Sequence, residues 1–102
     1  MDETLVVGTI STIVEAPKAG TREFAALVLA LRPDLSQLVS PAQRTVLELL
    51  LTSLSEPEIA TVLGRSKHTI HDHTKSIYQA MKVKSRVGLV LLFAQLPVTP
   101  GG

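Results

Sequence analysis

The sequence has no cysteine and no tryptophan, and its aromatic residues are one tyrosine and two phenylalanines. Without cysteine there is no disulfide, no thiolate nucleophile and no cysteine-based zinc site, which accords with a reducing compartment. With so few aromatic rings, Tyr78 reads as a core-edge residue rather than a base-stacking platform. Long apolar runs are missing as well. The two longest, Phe24–Leu31 and Val87–Ala94, fall far short of the roughly 20 residues that span a bilayer. The start Met1-Asp2-Glu3 lacks the basic region of a secretory signal. A cytoplasmic protein with no membrane partner is expected. No Ser/His/Asp, Cys/His or paired-carboxylate constellation stands out, and 102 residues leave one domain little room for both a core and a catalytic cleft. No enzyme, no catalytic residue and no cofactor is expected.

The net charge of +1 hides an asymmetry. Residues 1–40 hold Lys18, Arg22 and Arg32 against Asp2, Glu3, Glu15, Glu23 and Asp34, a net of −2. Residues 65–86 hold Arg65, Lys67, Lys75, Lys82, Lys84 and Arg86 against Asp72 alone, a net of +5. Binding to a phosphate backbone requires such a stretch, because each neutralised phosphate releases counterions. The same stretch also reads as an ordinary solvated face.

Cap signals divide residues 40–96 into four short helices. Ser40-Pro41-Ala42-Gln43 places a hydroxyl at the N-cap, a proline at the first helical position where its missing N–H is harmless, and a glutamine at N3 that reaches back. Ser55-Glu56-Pro57-Glu58 repeats the pattern with an acidic N3, which suits the positive end of the helix dipole. Gly64 follows Ile59, Ala60 and Leu63 where a left-handed residue ends a helix, and Ser66 is placed to cap the next. Helix, tight turn, helix is the result. Ser85, after the break at Lys82–Lys84, opens a last helix that Pro97 stops.

The amino-terminal third is less regular. Leu5–Val14 is rich in β-branched residues and reads as a strand or an irregular arm, followed by a loop over Ala16–Gly20. Thr21 then caps a helix from Arg22 to Arg32, ended by Pro33, which is apolar on nearly every side and so is expected to be buried, within the chain or against a partner.

Helical spacing assigns Val46, Leu47, Leu50, Leu51, Leu54, Ile59, Ala60 and Leu63 to the core. In the third capped helix Ile70, Thr74, Ile77 and Met81 share one stripe, which turns His68, His71, Asp72, Lys75 and Gln79 outward on another. That outward stripe is the candidate reading face. His68, His71 and Asp72 stand at i, i+3 and i+4, a spacing at which side chains converge on a divalent metal, but an exposed triplet of this kind is weak and no metal site is expected.

Residues 40–93 resemble the DNA-binding domain of the LuxR/GerE family of transcriptional regulators. The resemblance rests on Leu38-Val39-Ser40-Pro41 with Val46-Leu47, Leu54-Ser55 with Glu58-Ile59-Ala60, Leu63-Gly64, Ser66 with Thr69-Ile70 and His73, Ile77-Tyr78, and Val83-Lys84-Ser85-Arg86. A sigma-factor region 4 helix-turn-helix is similar in outline, but His73 and the Lys84-Ser85-Arg86 start of a fourth helix favour LuxR/GerE. The resemblance implies an all-α fold: a four-helix helix-turn-helix domain over 38–96, preceded over 1–37 by an arm or strand and an extra apolar helix, and followed over 97–102 by a flexible tail.

It also implies roles. The third helix would enter the major groove of duplex DNA, with Lys67, His68, Thr69, His71, Asp72, Lys75, Lys82, Lys84 and Arg86 as the contact set. Thr69 would contact phosphate, and Lys75 would reach a guanine edge or a phosphate. His71 stands where the family usually has lysine, and Asp72 where it usually has a valine that touches a thymine methyl. An aspartate accepts from cytosine N4 and repels phosphate. Ser53 replaces a usual glycine and Ala80 a common lysine. The fourth helix would form a homodimer through Val87, Val90, Leu91 and Phe93, and the amino-terminal apolar helix is a candidate surface for a regulatory protein. The expected function is a sequence-specific, dimeric transcriptional regulator. The alternative is a protein-interaction module of the same fold that has lost DNA affinity.

Overall fold

Local caps account for almost every helix start in the computed structural model, which describes residues 17–95. The expected strand or arm over Leu5–Val14 and the tail after Leu96 lie outside the described residues. Among those described there are six helices and no sheet: α1 (Arg22–Leu31), α2 (Pro33–Ser36), α3 (Pro41–Leu50), α4 (Glu56–Leu63), α5 (Lys67–Met81) and α6 (Arg86–Ala94). The expected all-α class is the observed one.

Thr21 Oγ1 accepts from the Phe24 amide at 3.1 Å and starts α1. Ser40 and Gln43 form a reciprocal capping box at α3, and Ser55 and Glu58 form another at α4. In the second box the Glu58 carboxylate accepts from the Ser55 amide at 2.8 Å, and hydrogen bonds from Ser55 hold its pKa below the usual carboxylate range. Ser66 and Ser85 accept from the amides of Thr69 and Gly88, both at 3.1 Å, and start α5 and α6. Gly64 takes φ 64°, and the amides of Gly64 and Arg65 close onto the carbonyls of Thr61 and Ala60, the paired bonds of a Schellman turn.

Two helix ends differ from expectation, and the expected break after α5 is closed by an unusual residue type. The α1 helix stops at Leu31, one residue short, with Arg32 at φ −127°, and Pro33 also starts the one-turn α2, as proline does well at N1. Lys82 ends α5 in the left-handed region at φ 59°, where glycine is the usual choice. The last helix ends at Ala94, with Gln95 already extended, before Pro97 can act.

Helix α5 lies across α3 and α4, while α1 packs on α3 and α6. One core joins Ala25 and Val28 of α1 to Leu47, Leu50, Ile59, Ile70, Ile77, Leu89 and Phe93. Each large aliphatic side chain fully buried there contributes about 1.5–3 kcal/mol. Thr74 sits in the same stripe as Ile70 and Ile77 without cost, because its hydroxyl donates to the Ile70 carbonyl at 2.9 Å. Thus α1 buries one face, at Ala25 and Val28, within its own chain and covers part of α6, while Leu27 and Leu31 stay exposed.

Long side chains tie the ends of helices together. Arg86 Nε donates to the Leu50 carbonyl at 2.9 Å, and Nη2 donates to the carbonyls of Leu49 at 3.3 Å and Thr52 at 2.7 Å. Arg32 donates to the Leu92 carbonyl at 3.2 Å and to that of Gln95, and forks onto Asp34. The Asp34 carboxyl is held below its ordinary pKa mainly by that hydrogen bond. Ahead of α1, Gly20 at φ 93° forms a single parallel bridge to Thr52, with the Ser53 amide donating to the Gly20 carbonyl at 2.9 Å.

Candidate nucleic-acid interface

The burial of Ile70, Thr74, Ile77 and Met81 fixes the rotation of α5 and leaves His68, His71, Asp72, Lys75 and Gln79 exposed. Because side chains three and four residues apart share a face, these form a continuous outward stripe about three turns long. Lys67 stands exposed at the first turn, and Lys82 and Lys84 are exposed just beyond the far end. Thr69 is half-buried on the flank, its Oγ1 accepting from Ser66 Oγ at 2.9 Å.

Charges within the stripe are partly paired. His68 Nε2 lies 3.5 Å from Asp72 Oδ2, one turn along the helix. His71 Nδ1 lies 3.4 Å from Glu56 Oε1, at the start of α4. His68, His71 and Asp72 therefore pair off rather than converge, and no group of three such side chains is placed to hold a metal among the described residues. Tyr78 is half-buried, and burial pushes its hydroxyl pKa up. It packs against the core.

Two expected assignments need correction. Arg86 is engaged in the fold rather than held out towards a phosphate, because its Nε and Nη2 donate to three carbonyl oxygens at the end of α3 and the following turn. Phe93 is fully buried within the chain at 0 % exposure, so it belongs to the core and not to a dimer surface. Of the other residues expected at that surface, Val87 and Leu91 are exposed at 68 % and 57 %, one turn apart on α6, with Val90 half-buried beside them.

On one side of the site the sequence pointed to Thr69 alone and left out its neighbours. Thr45 of α3, Arg65 in the turn, and Thr69 and His73 of α5 line a cleft of about 270 Å³ between the two helices. Thr69 and His73 stand four residues apart, and that spacing was the available signal. Thr45 gave none, since only the packing of α3 on α5 brings it there. No helix among the described residues is long and apolar enough to cross a membrane.

Comparison with curated proteins and with solved structures found no match. A family model does match: residues 37–93 fit that of GerE, described as bacterial regulatory proteins of the luxR family. The matched stretch starts just before Ser40 and its capping box and ends at Phe93, so it takes in α3 to α6. With more than half its length covered by that model, the chain belongs to the luxR family of bacterial regulatory proteins and carries its helix-turn-helix DNA-binding domain.

Proposed function

We propose that the chain is a sequence-specific transcriptional regulator that binds duplex DNA in the cytoplasm as a homodimer, with α5 laid in the major groove. The observation that carries this reading is the split of α5 into a fully buried stripe and an outward stripe bordered by basic residues. His71, Asp72 and Lys75 face outward near its middle, where base edges would lie. Lys67, Lys75, Lys82 and Lys84 are the cations for the backbone, and Thr69 a hydroxyl for it. The exposed pair Val87 and Leu91, with Val90, is the dimer contact, so that two copies of α5 meet paired half-sites. The exposed side of α1, at Leu27 and Leu31, is left for a regulatory protein.

Binding measured across a salt series tests the reading. If about four cations each neutralise a phosphate, log K falls against log salt with a slope of roughly −3.6. Lys75→Ala weakens binding by about 1–3 kcal/mol and relaxes preference at one position if Lys75 reads a base. The second reading, an interaction module without DNA affinity, is favoured by the carboxylates of Asp72 and Glu56 at the outward face. Asp72→Val tests what that carboxylate does at the interface. A uniform gain in DNA affinity means that Asp72 opposes phosphate, and a loss confined to the preferred site means that it reads cytosine. Absence of any duplex binding at low salt leaves the interaction module standing.

A further inference from the structure

The two flanks of α5 differ in charge. Towards α4, Lys67, His68 and His71 border an open groove whose other wall includes the Glu56 carboxylate, and that carboxylate already meets His71. Towards α3 lies the cleft of about 270 Å³, whose polar lining is Thr45, Arg65, Thr69 and His73 and which no carboxylate lines. Among the described residues neither the Arg65 guanidinium nor the His73 ring has a hydrogen-bond or ion-pair partner within the chain, whereas His68 and His71 each have one. Thr69 Oγ1 accepts from Ser66 Oγ, which leaves its own hydroxyl hydrogen to donate outward.

A cation, an imidazole and a free hydroxyl without an acid form a donor set for an oxyanion. The cleft falls just short of the roughly 300–1,000 Å³ of a site for a drug-sized ligand, so it suits one compact group. Its place on the helix narrows the choice further. Thr69 and His73 lie one above the other on α5, half-buried, between the core stripe of Ile70 and Thr74 and the outward stripe of His68 and Asp72. A helix seated in the major groove has a sugar-phosphate strand along each flank. This flank is the one that no carboxylate guards.

We propose that this cleft seats one backbone phosphate of the bound duplex, with Arg65 supplying the charge and Thr69 and His73 the hydrogen bonds. The proposal rests on the DNA-binding reading and adds Arg65 and His73 to it. A contact of this kind fixes the register of α5 on the duplex and carries no base preference.

The test uses the full chain and duplexes with and without the preferred site. Arg65→Ala, a change at an exposed position, weakens binding to both duplexes alike and makes the salt slope shallower by about 0.9. Arg65→Lys restores the slope and only part of the affinity, because an ammonium lacks the guanidinium fork. His73→Gln weakens both duplexes alike. An Arg65→Ala variant with unchanged affinity and slope overturns the proposal. Should the unmodified chain bind no duplex, the DNA-binding reading fails, and inorganic phosphate titrated against the His73 ring resonances tests the cleft alone. A saturable shift that disappears in Arg65→Ala keeps it as a phosphate site, and no shift overturns it.

Discussion

The Arg86 guanidinium donates to three carbonyl oxygens around the end of α3, where a helix leaves its last carbonyls without partners. Its role is thus tertiary, although its place in a basic stretch made it one more cation for DNA. Nothing local could have shown this, because the acceptors lie 34 to 37 residues back along the chain. The serine caps were legible for the opposite reason, since each is satisfied three residues away. Hydrogen bonds to a charged group are worth about 1.5–3 kcal/mol. Arg86→Leu is therefore expected to lower stability by about 2 kcal/mol, seen as a lower denaturant midpoint, and to leave the salt slope of DNA binding unchanged. Arg86→Lys recovers little, as a point charge cannot serve carbonyls spread over the end of a helix. A slope shallower by about 0.9 in Arg86→Leu would return the residue to the DNA-contact set.

At the level of elements, α4 and α5 end in the same way with different residues. Both close with the paired bonds of a Schellman turn, from Gly64 and Arg65 to Thr61 and Ala60, and from Lys82 and Val83 to Gln79 and Tyr78. The first uses glycine at φ 64° and the second lysine at φ 59°. The end of α4 was legible because glycine announces the left-handed position. The end of α5 was legible only as a break, since lysine carries no such signal and pays a strain of roughly 1 kcal/mol there. Lys82 is also one of the proposed phosphate contacts, so the strained residue is retained where its charge would be used. Lys82→Gly is expected to raise stability by about 1 kcal/mol and to weaken DNA binding, with the salt slope reduced by about 0.9. Thermal unfolding and binding on the same sample should then move in opposite directions. A gain in stability with no loss of binding would remove Lys82 from the interface and leave its backbone strain without a functional reason.

For the molecule as a whole, the informative element is α1. Its apolar sequence required burial but not a particular partner, since a helix that is apolar on nearly every side does not say which face goes inward. The structure buries Ala25 and Val28 against α3 and α6 and leaves Leu27 and Leu31 exposed at 39 % and 43 %. Helix α6 is thereby covered on the side of Leu89 and Phe93 by its own chain. The excess of apolar surface on α6 is smaller than its sequence implies, and it reduces to Val87 and Leu91 with the edge of Val90. A symmetric contact through these residues counts each side chain twice. Burying the exposed half of Leu91 is worth about 1–1.5 kcal/mol per copy, or roughly 30- to 150-fold in the dimer dissociation constant. Leu91→Glu should accordingly sediment as a monomer with its helical spectrum intact, and bind single half-sites but not paired ones. Val62→Glu is the control, because Val62 is just as exposed, at 55 %, but sits on α4, away from this face, and should remain dimeric. Loss of the dimer in both variants would point to a non-specific effect of surface charge. A chain already monomeric at high concentration would leave Val87 and Leu91 free for a different protein, and DNA recognition would then rest on a single copy of α5.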